Sequence, residues 1–404
     1  MQLVEQHLIN KNDKRFKIID KASFASKNLY NAANYTLRQE FIHTERYITY
    51  PQLAKLLKNS EPYSALPAKV AQQVLINLDK NWQSFFAALG EWKEHPEKFQ
   101  GKPSLPSYKD KLSGRHILVY TTQALSRRLL KGGIIKPSGL DIFVNTKQKK
   151  IKQVRIVPRK THYVVEVVYE KEEAPAKVNP DYIAGVDIGL NNLATVASNK
   201  PGFVPVVVNG RPLKSINQYF NKKRANLQSQ IGVTKATDPK IEKITDKRNR
   251  KVKHELHIAS RKIIDTLVAE EVGTLVIGKN SEWKQKINIG KRNNQNFVSI
   301  PHAQFVSMLT YKAELVGIKV CVTEESYTSK CSFIDLEPIQ KKEVYVGKRI
   351  QRGLFQSKEG KFINADVNGA YNILRKVAPN AFRNGVEGVV VHPLRISLKN
   401  EPVE

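Results

Sequence analysis

Four acidic side chains sit where carboxylates are costly to place unless a cation or a hydrogen-bond network receives them. Glu324 and Glu325 stand side by side in "VTEESYTSK", where the apolar stretch "GIKVCV" runs into a polar turn. Asp187 lies in "AGVDIG", inside a strand whose other residues are apolar. Asp366 lies in "NADVNGAYNIL", at the start of a helix whose core face is Ala370, Ile373, Leu374 and Val377; on its own it also reads as a helix N-cap. Gathered at one place, such carboxylates offer hard oxygen ligands, which suit Mg²⁺ or Mn²⁺. Two such ions about 3.5 to 4 Å apart align an attacking water and absorb charge on the leaving oxygen of a phosphodiester.

Gathering them needs a particular order of elements. The strand with Asp187 is followed by a second strand in "VPVVVNG", then by two basic helices, "RPLKSINQYFNKKRANLQSQ" and the long stretch from Asp238 to Glu271, whose apolar stripe is Ile258, Ile263, Leu267 and Val268. A buried strand "GTLVIG", an Asn/Lys-rich stretch, the helix "PHAQFVSMLTYKAELVG", the strand "IKVCV" and the helix with Asp366 complete the series. This order fits a ribonuclease-H-like α/β fold, which can bring distant carboxylates to one edge of a mixed sheet. Upstream, helical spacing begins at about Ser23 and continues through a stripe of Val70, Val74, Leu75, Leu78, Trp82 and Phe85, with Trp82 read as core. Three prolines and a glycine in "HPEKFQGKPSLPSYKDK" end the helices, and strand-like stretches follow. In "THYVVEVVYEKEE", Tyr163, Val165, Val167 and Tyr169 alternate as a half-buried strand would. Leu3, Val4, Leu8 and Ile9 fit neither period cleanly and are assigned to a short strand.

Charge points first to nucleic acid as the partner, with a ribosomal or membrane-surface role as the alternative. Lys and Arg number 67 against 37 Asp and Glu in 404 residues, a net +30 that a polyanion would neutralise. Lys222, Lys223, Arg224, Lys247, Arg248, Arg250 and Lys251 crowd the two basic helices, and Lys284, Lys291 and Arg292 lie in the Asn/Lys-rich stretch, read as a lid admitting single-stranded DNA. No apolar run approaches the roughly 20 residues of a membrane span. The N-terminal stretch lacks the pattern of a secretory signal, and only Cys321 and Cys331 are present, so a reducing cytoplasmic setting is expected.

"AGVDIGLNNLAT", "HIASRKII", "SYTSKCS" and "NADVNGAYNIL", in that order, resemble the RuvC-like nuclease of transposon-encoded TnpB proteins, relatives of Fanzor proteins and type V CRISPR effectors. "LYNAANYTLRQ" resembles the family's N-terminal helical region, so the likeness covers most of the chain. The resemblance implies an RNA-guided DNA endonuclease with guide RNA and target DNA as partners. It implies a β-barrel wedge domain (1–16 and 104–180), an inserted helical recognition domain (17–103), a RuvC-like nuclease domain (181–326 and 363–380) and an insert (327–362); the tail (381–404) is read from the sequence as loosely ordered, with "GVVVH" left open as a stretch that pairs with something. Asp187 and Asp366 match the family's first and third catalytic carboxylates.

Two departures stand out. Most TnpB relatives carry a glutamate at the end of the strand that here reads "LVIGKN", and this chain has Gly278 there. Neighbouring strands lie about 4.8 Å apart, so a glutamate ending the next strand can recover most of that distance, and a glycine clears its path. "ESYTS" matches the relocated form of some relatives through Glu325, favoured over Glu324 as metal ligand; Glu270 and Glu271 are weaker substitutes. If none substitutes, the chain is a nuclease-inactive guided DNA-binding protein, a repressor. A guide-free recombinase or junction resolvase is a third reading, made less apt by the large helical region. The second departure is zinc. Family members carry two Cys-x-x-Cys pairs in the insert, whereas here Cys331 remains and Gln356 and Glu359 stand at the second pair, so no zinc is expected. The insert is read as metal-free β structure held by Phe333, Ile334, Val344, Val346, Ile350, Leu354 and Phe355.

Overall fold

The computed structural model describes residues 1–231, 238–280, 299–383, 385–386 and 388–397, and the chain divides into two units, Met1–Lys171 and Glu172–Glu404. In the first unit β1 (Gln2–Asn10) leads into α1 (Lys14–Thr44). The helix starts well before Ser23 because Asp13 caps it, its carboxylate accepting from Arg15 N. After α2 (Tyr50–Leu57), α3 (Glu61–Ser64) and α4 (Ala68–Glu94) come β2 (Leu118–Thr121), α5 (Arg127–Lys131), β3 (Ile134–Ile135), β4 (Val144–Asn145), β5 (Ile151–Pro158) and β6 (His162–Glu170). Trp82 is wholly buried against Phe41, Phe85 and Phe86 and donates its indole N–H to Asn34 Oδ1 at 3.1 Å.

Helices and strands of this unit share one hydrophobic cluster. The strands form an open antiparallel sheet, β1-β6-β5-β2, beside the pair β3-β4; among the described residues no strand pairing closes it into the expected barrel. The strand β6 is buried from His162 to Val168 rather than half-buried. Its polar positions have partners: Glu166 accepts from Gln6 at 3.0 Å and pairs with Arg155 at 2.8 Å, and His162 meets Thr161 at 2.9 Å. A satisfied polar group can be buried at little cost.

The second unit is a three-layered α/β structure. The strand with Asp187, expected to lead directly to "VPVVVNG", is instead a hairpin of β7 (Asn179–Ile188) and β8 (Asn192–Ser198), followed by β9 (Val206–Asn209). Then come α6 (Arg211–Ile231), α7 (Pro239–Ala269), β10 (Val272–Gly278), α8 (His302–Leu315), β11 (Lys319–Thr323), β12 (Lys348–Gln351), β13 (Leu354–Gln356), β14 (Phe362–Asn364), α9 (Ala365–Val377) and β15 (Leu394–Ile396). The main sheet runs β11-β10-β7-β8-β9-β15, with β10 parallel to both neighbours and β7-β8-β9 antiparallel. On one face pack Leu256, Ile263 and Leu267 of α7 and Phe305 and Leu309 of α8; on the other lie Ala370, Tyr371 and Leu374 of α9.

Three details differ from expectation. Val377 is 39% exposed, because α9 ends there and its last turn runs past the sheet. The insert is anchored through Phe333, stacked on Tyr371 at 4.2 Å, and through Phe355, whereas Val344 is 83% exposed and Val346 and Ile350 also face solvent. It leans on α9 instead of building its own core. The described residues of the tail up to 397 are held: β15 pairs in parallel with β9, Tyr371 donates to Val390 O at 3.1 Å, and Lys262 donates to Ser397 O at 2.8 Å. Among the described residues, no helix is long and apolar enough to cross a membrane.

Candidate active site and nucleic-acid surface

Asp187 is the penultimate residue of β7, held between β8, where it pairs with Thr195, and β10, where its neighbour Val186 pairs with Ile277. Asp187 is partly exposed at a cleft, and α9 comes close: a Cβ on Gly369 would lie 2.9 Å from Asp187 Oδ2, so a larger residue there would push on this carboxylate. Burial, then the charges of Glu325 and Asp366, push Asp187 up to about 8, against the opposing pull of Arg349.

Asp366 sits in the first turn of α9, but Asn364 is the cap, its side chain accepting from Asp366 N at 3.0 Å and Val367 N at 3.2 Å. Relieved of capping, the Asp366 carboxylate faces outward from the helix start. Its Oδ2 accepts from Asn192 Nδ2 at 2.6 Å, and Arg349 Nη2 stands 3.8 Å from Oδ1.

Glu325 lies two residues beyond β11, whose last residue Thr323 pairs with Gly278. Asn280 clamps it on both sides, accepting from Glu325 N at 3.0 Å and donating to Glu325 Oε1 at 3.2 Å. Its other oxygen, Oε2, is buried with no hydrogen-bond partner and lies 3.1 Å from where a Cβ on Gly278 would stand. Burial pushes Glu325 up to about 7, with Lys376 opposing. Glu324 points elsewhere: it is exposed and accepts from Ser326 Oγ. Glu270 and Glu271 are engaged with Lys200 at 2.7 Å and Lys177 at 3.0 Å.

The carboxylates Asp187 and Asp366 line a cleft of about 690 Å³ whose wall is basic, with Arg211 and Lys214 from α6, Arg349 and Arg352 from the insert, and Arg395 from β15; Glu325 is not among the lining side chains. In this mixture Arg349 faces Asp366 and Lys214 donates to Asn191 Oδ1 at 2.8 Å, and the cationic wall is a setting that can receive a phosphate backbone. Sequence reasoning missed Asn192, Asn280, Arg349 and Arg395. The doublet "NN" after "VDIGL" was no clear signal, since Asn192 bonds the distant Asp366 and not the neighbouring Asp187; the arginines, distant in sequence, gave none.

Lys222, Lys223, Arg224, Arg250 and Lys251 are all exposed on α6 and α7. Arg248 differs from its expected role: its guanidinium is half-buried and bonds Asn217 Oδ1 at 2.7 Å, Asn249 Oδ1 at 2.9 Å and Ser299 O, so it ties α6 to α7. Tyr219, unnoticed in the sequence, is 62% exposed with Lys223 Nζ 5.1 Å from its ring centre; a hydrogen bond from Lys223 and the charges of Lys247 and Lys251 lower its hydroxyl pKa. Lys284, Lys291 and Arg292, with the expected lid, lie outside the described residues. Cys331 is buried, its thiol 3.5 Å from Pro338 O and its pKa raised by burial, as for a small core side chain.

Residues 166–284 match the OrfB_IS605 family model, described as a probable transposase, and residues 302–373 match the Cas12f1-like TNB domain. The chain is 27% identical over 416 residues to the TnpB-like protein ORF457 of Acidianus two-tailed virus, covering 91% of this chain and 85% of that protein. It is 27% identical over 238 residues to the CRISPR-associated endodeoxyribonuclease Cas12f2 of Micrarchaeota archaeon (strain CG1_02_47_40), but spans only 41% of that protein's length. The fold matches Cas12f1 as seen in its sgRNA and target DNA complex, with a TM-score of 0.57 at 16% identity, over 88% of this chain and 82% of that one. Two family models thus match in order along the second unit and a viral relative aligns almost end to end, so this chain is similar to TnpB-like proteins and, over part of its length, to a Cas12f nuclease.

Proposed function

We propose that this protein is a transposon-encoded, RNA-guided DNA endonuclease whose site is Asp187, Asp366 and a relocated glutamate, Glu325. The observation that carries this reading is the space left by Gly278: the Glu325 carboxylate packs where a longer side chain on β10 would stand, and its charge is felt at Asp187. Three acids remote in sequence thus share one electrostatic neighbourhood.

Mg²⁺ or Mn²⁺ fits this donor set. The ligands are all carboxylate oxygens, and the buried, unpartnered Oε2 of Glu325 is an acceptor awaiting a cation. Among the described residues, no three acidic, histidine or cysteine side chains are gathered tightly enough to hold an ion by themselves. An ion placed there would therefore take one or two of these carboxylates and need waters and substrate phosphate to complete its shell. Ions held by Asp187, Glu325 and Asp366 would supply an activated water and neutralise charge on the phosphate.

The chain's other residues prepare the site. Asn280 fixes Glu325 and Asn192 fixes Asp366, so neither carboxylate must be ordered when substrate arrives. Arg349 offsets the repulsion among the acids and stands beside Asp366, where a phosphate would be drawn. The guide would pair with one DNA strand while the protein reads backbone shape and a short flanking motif. Exposed Lys222, Lys223, Arg224, Arg250 and Lys251 are placed to neutralise phosphates of that heteroduplex.

Gly278 at the family's glutamate position also favours a second reading, a guided DNA-binding protein without nuclease activity. Sequencing the RNA that copurifies, then offering a plasmid matching it, separates the two. Linearisation in Mg²⁺ and none in EDTA is expected. RNA-dependent binding without cutting would favour the second reading, and absence of bound RNA would overturn both.

A further inference from the structure

The last described strand was expected to belong to a loose tail. Pairing carries its position into the active-site cleft: Asp187 of β7 is opposite Thr195 of β8, Thr195 is opposite Val207 of β9, and Val207 is opposite Arg395 of β15. Residues paired across neighbouring strands point to the same face of a sheet. Arg395 therefore shares a row and a face with Asp187, on the side occupied by α9, while its neighbour Ile396 packs into the core under the opposite face. Thr195 and Val207, both buried, pave the floor between them. Among the described residues Arg395 is exposed and has no ion-pair partner, and it lines the same cleft as Asp187, Asp366, Arg211 and Lys214.

Three strand spacings of about 4.8 Å separate Asp187 from Arg395. That is too far for both to meet one phosphate. A strand of nucleic acid advances about 3.4 Å per nucleotide, so a strand whose scissile phosphate sits at the carboxylates brings a phosphate a few nucleotides away to Arg395. The backbone of β15 is held independently of that side chain, through Leu394 N to Pro205 O and Lys262 to Ser397 O, each at 2.8 Å.

We propose that β15 is a substrate-binding strand and that Arg395 binds a backbone phosphate of the nucleic-acid strand leading into the cleft. This rests on the nuclease reading of the cleft. The test uses the full chain with its copurified RNA, in the Asp187→Ala background for binding and with Asp187 intact for cleavage. Arg395→Ala should weaken target binding several-fold and lower the slope of log affinity against log salt by about 0.7, the share of one single-strand phosphate contact. Arg395→Lys should keep the slope. Lys319→Ala, at the opposite edge of the same sheet, removes the same charge and should change neither. In cleavage, Arg395→Ala should raise the half-saturating target concentration more than it lowers the maximal rate. An unchanged slope in Arg395→Ala while the parent protein cuts would overturn the proposal and leave the nuclease reading standing. A lowered slope with no cutting by the parent would support the phosphate contact and remove the nuclease reading.

Discussion

Substituting Gly278 by alanine tests whether Glu325 occupies the vacated position. The added methyl would lie 2.6 Å from Ile373 Cδ1 and 3.1 Å from Glu325 Oε2, against an ordinary contact of about 3.5 to 4 Å. Ile373 must recede by about 1 Å and the carboxylate by about half that. The first displacement is overpacking, expected to cost about 1 to 3 kcal/mol of stability. The second moves a proposed ligand, and displacements approaching 1 Å cost up to about 100-fold in rate. The two effects can be separated with Ile373→Val, which deletes the clashing Cδ1. Gly278→Ala should lower both the melting temperature and the cleavage rate, and Gly278→Ala with Ile373→Val should regain stability while cleavage stays at least about tenfold down. Thermal melts read the first quantity and single-turnover plasmid cleavage the second. A folded Gly278→Ala protein that cuts at the parental rate would refute the placement of Glu325.

Other outcomes follow from charges and packing. Burial raises Asp187 to about 8 and Glu325 to about 7, so the metal-free folded protein keeps protons that the unfolded chain has already released. Their contribution to stability is complete below the unfolded carboxylate range and is lost as pH rises through about 7 to 8. Melting temperature in EDTA should fall across that window, and Mg²⁺ should restore more at its upper end than at about pH 6. His116, lowered to about 4 chiefly by burial, acts oppositely: its contribution is present above about pH 6.5 and is lost as pH falls toward 4. His116→Gln should shrink the acid slope of stability by about one proton, measured by urea melts at stepped pH. Arg248→Ala should destabilise the protein by about 2 kcal/mol through its lost hydrogen bonds, whereas Lys251→Ala should leave stability unchanged and reduce the salt slope of target binding.

Much of the second unit was legible because its apolar strands are flanked by periodic helices, and the resemblance supplied the order. Asp187 was visible because it breaks an apolar strand, Asp366 because it opens a patterned helix, and Glu325 because it follows an apolar strand end where a carboxylate is costly. Side chains that matter through pairing in space were not visible. Arg349 and Arg395 sit in the insert and the tail, where short strands carry no periodic signal, and only the sheet register aligns Arg395 with Asp187. Arg248 was misread because a basic run reveals charge but not which guanidinium turns inward to Asn217. The hairpin after Asp187 was missed because Leu190 and Leu193 keep the stretch apolar through the turn.

The most direct test compares cleavage of one programmed target in Mg²⁺ by the parent protein, Glu325→Gln and Glu324→Gln. The glutamine at 325 keeps the shape and the bond from Asn280 while removing the charge. A site built on Asp187, Glu325 and Asp366 predicts cutting by the parent and by Glu324→Gln and a loss of at least about 100-fold in Glu325→Gln; parental cutting by Glu325→Gln would contradict it.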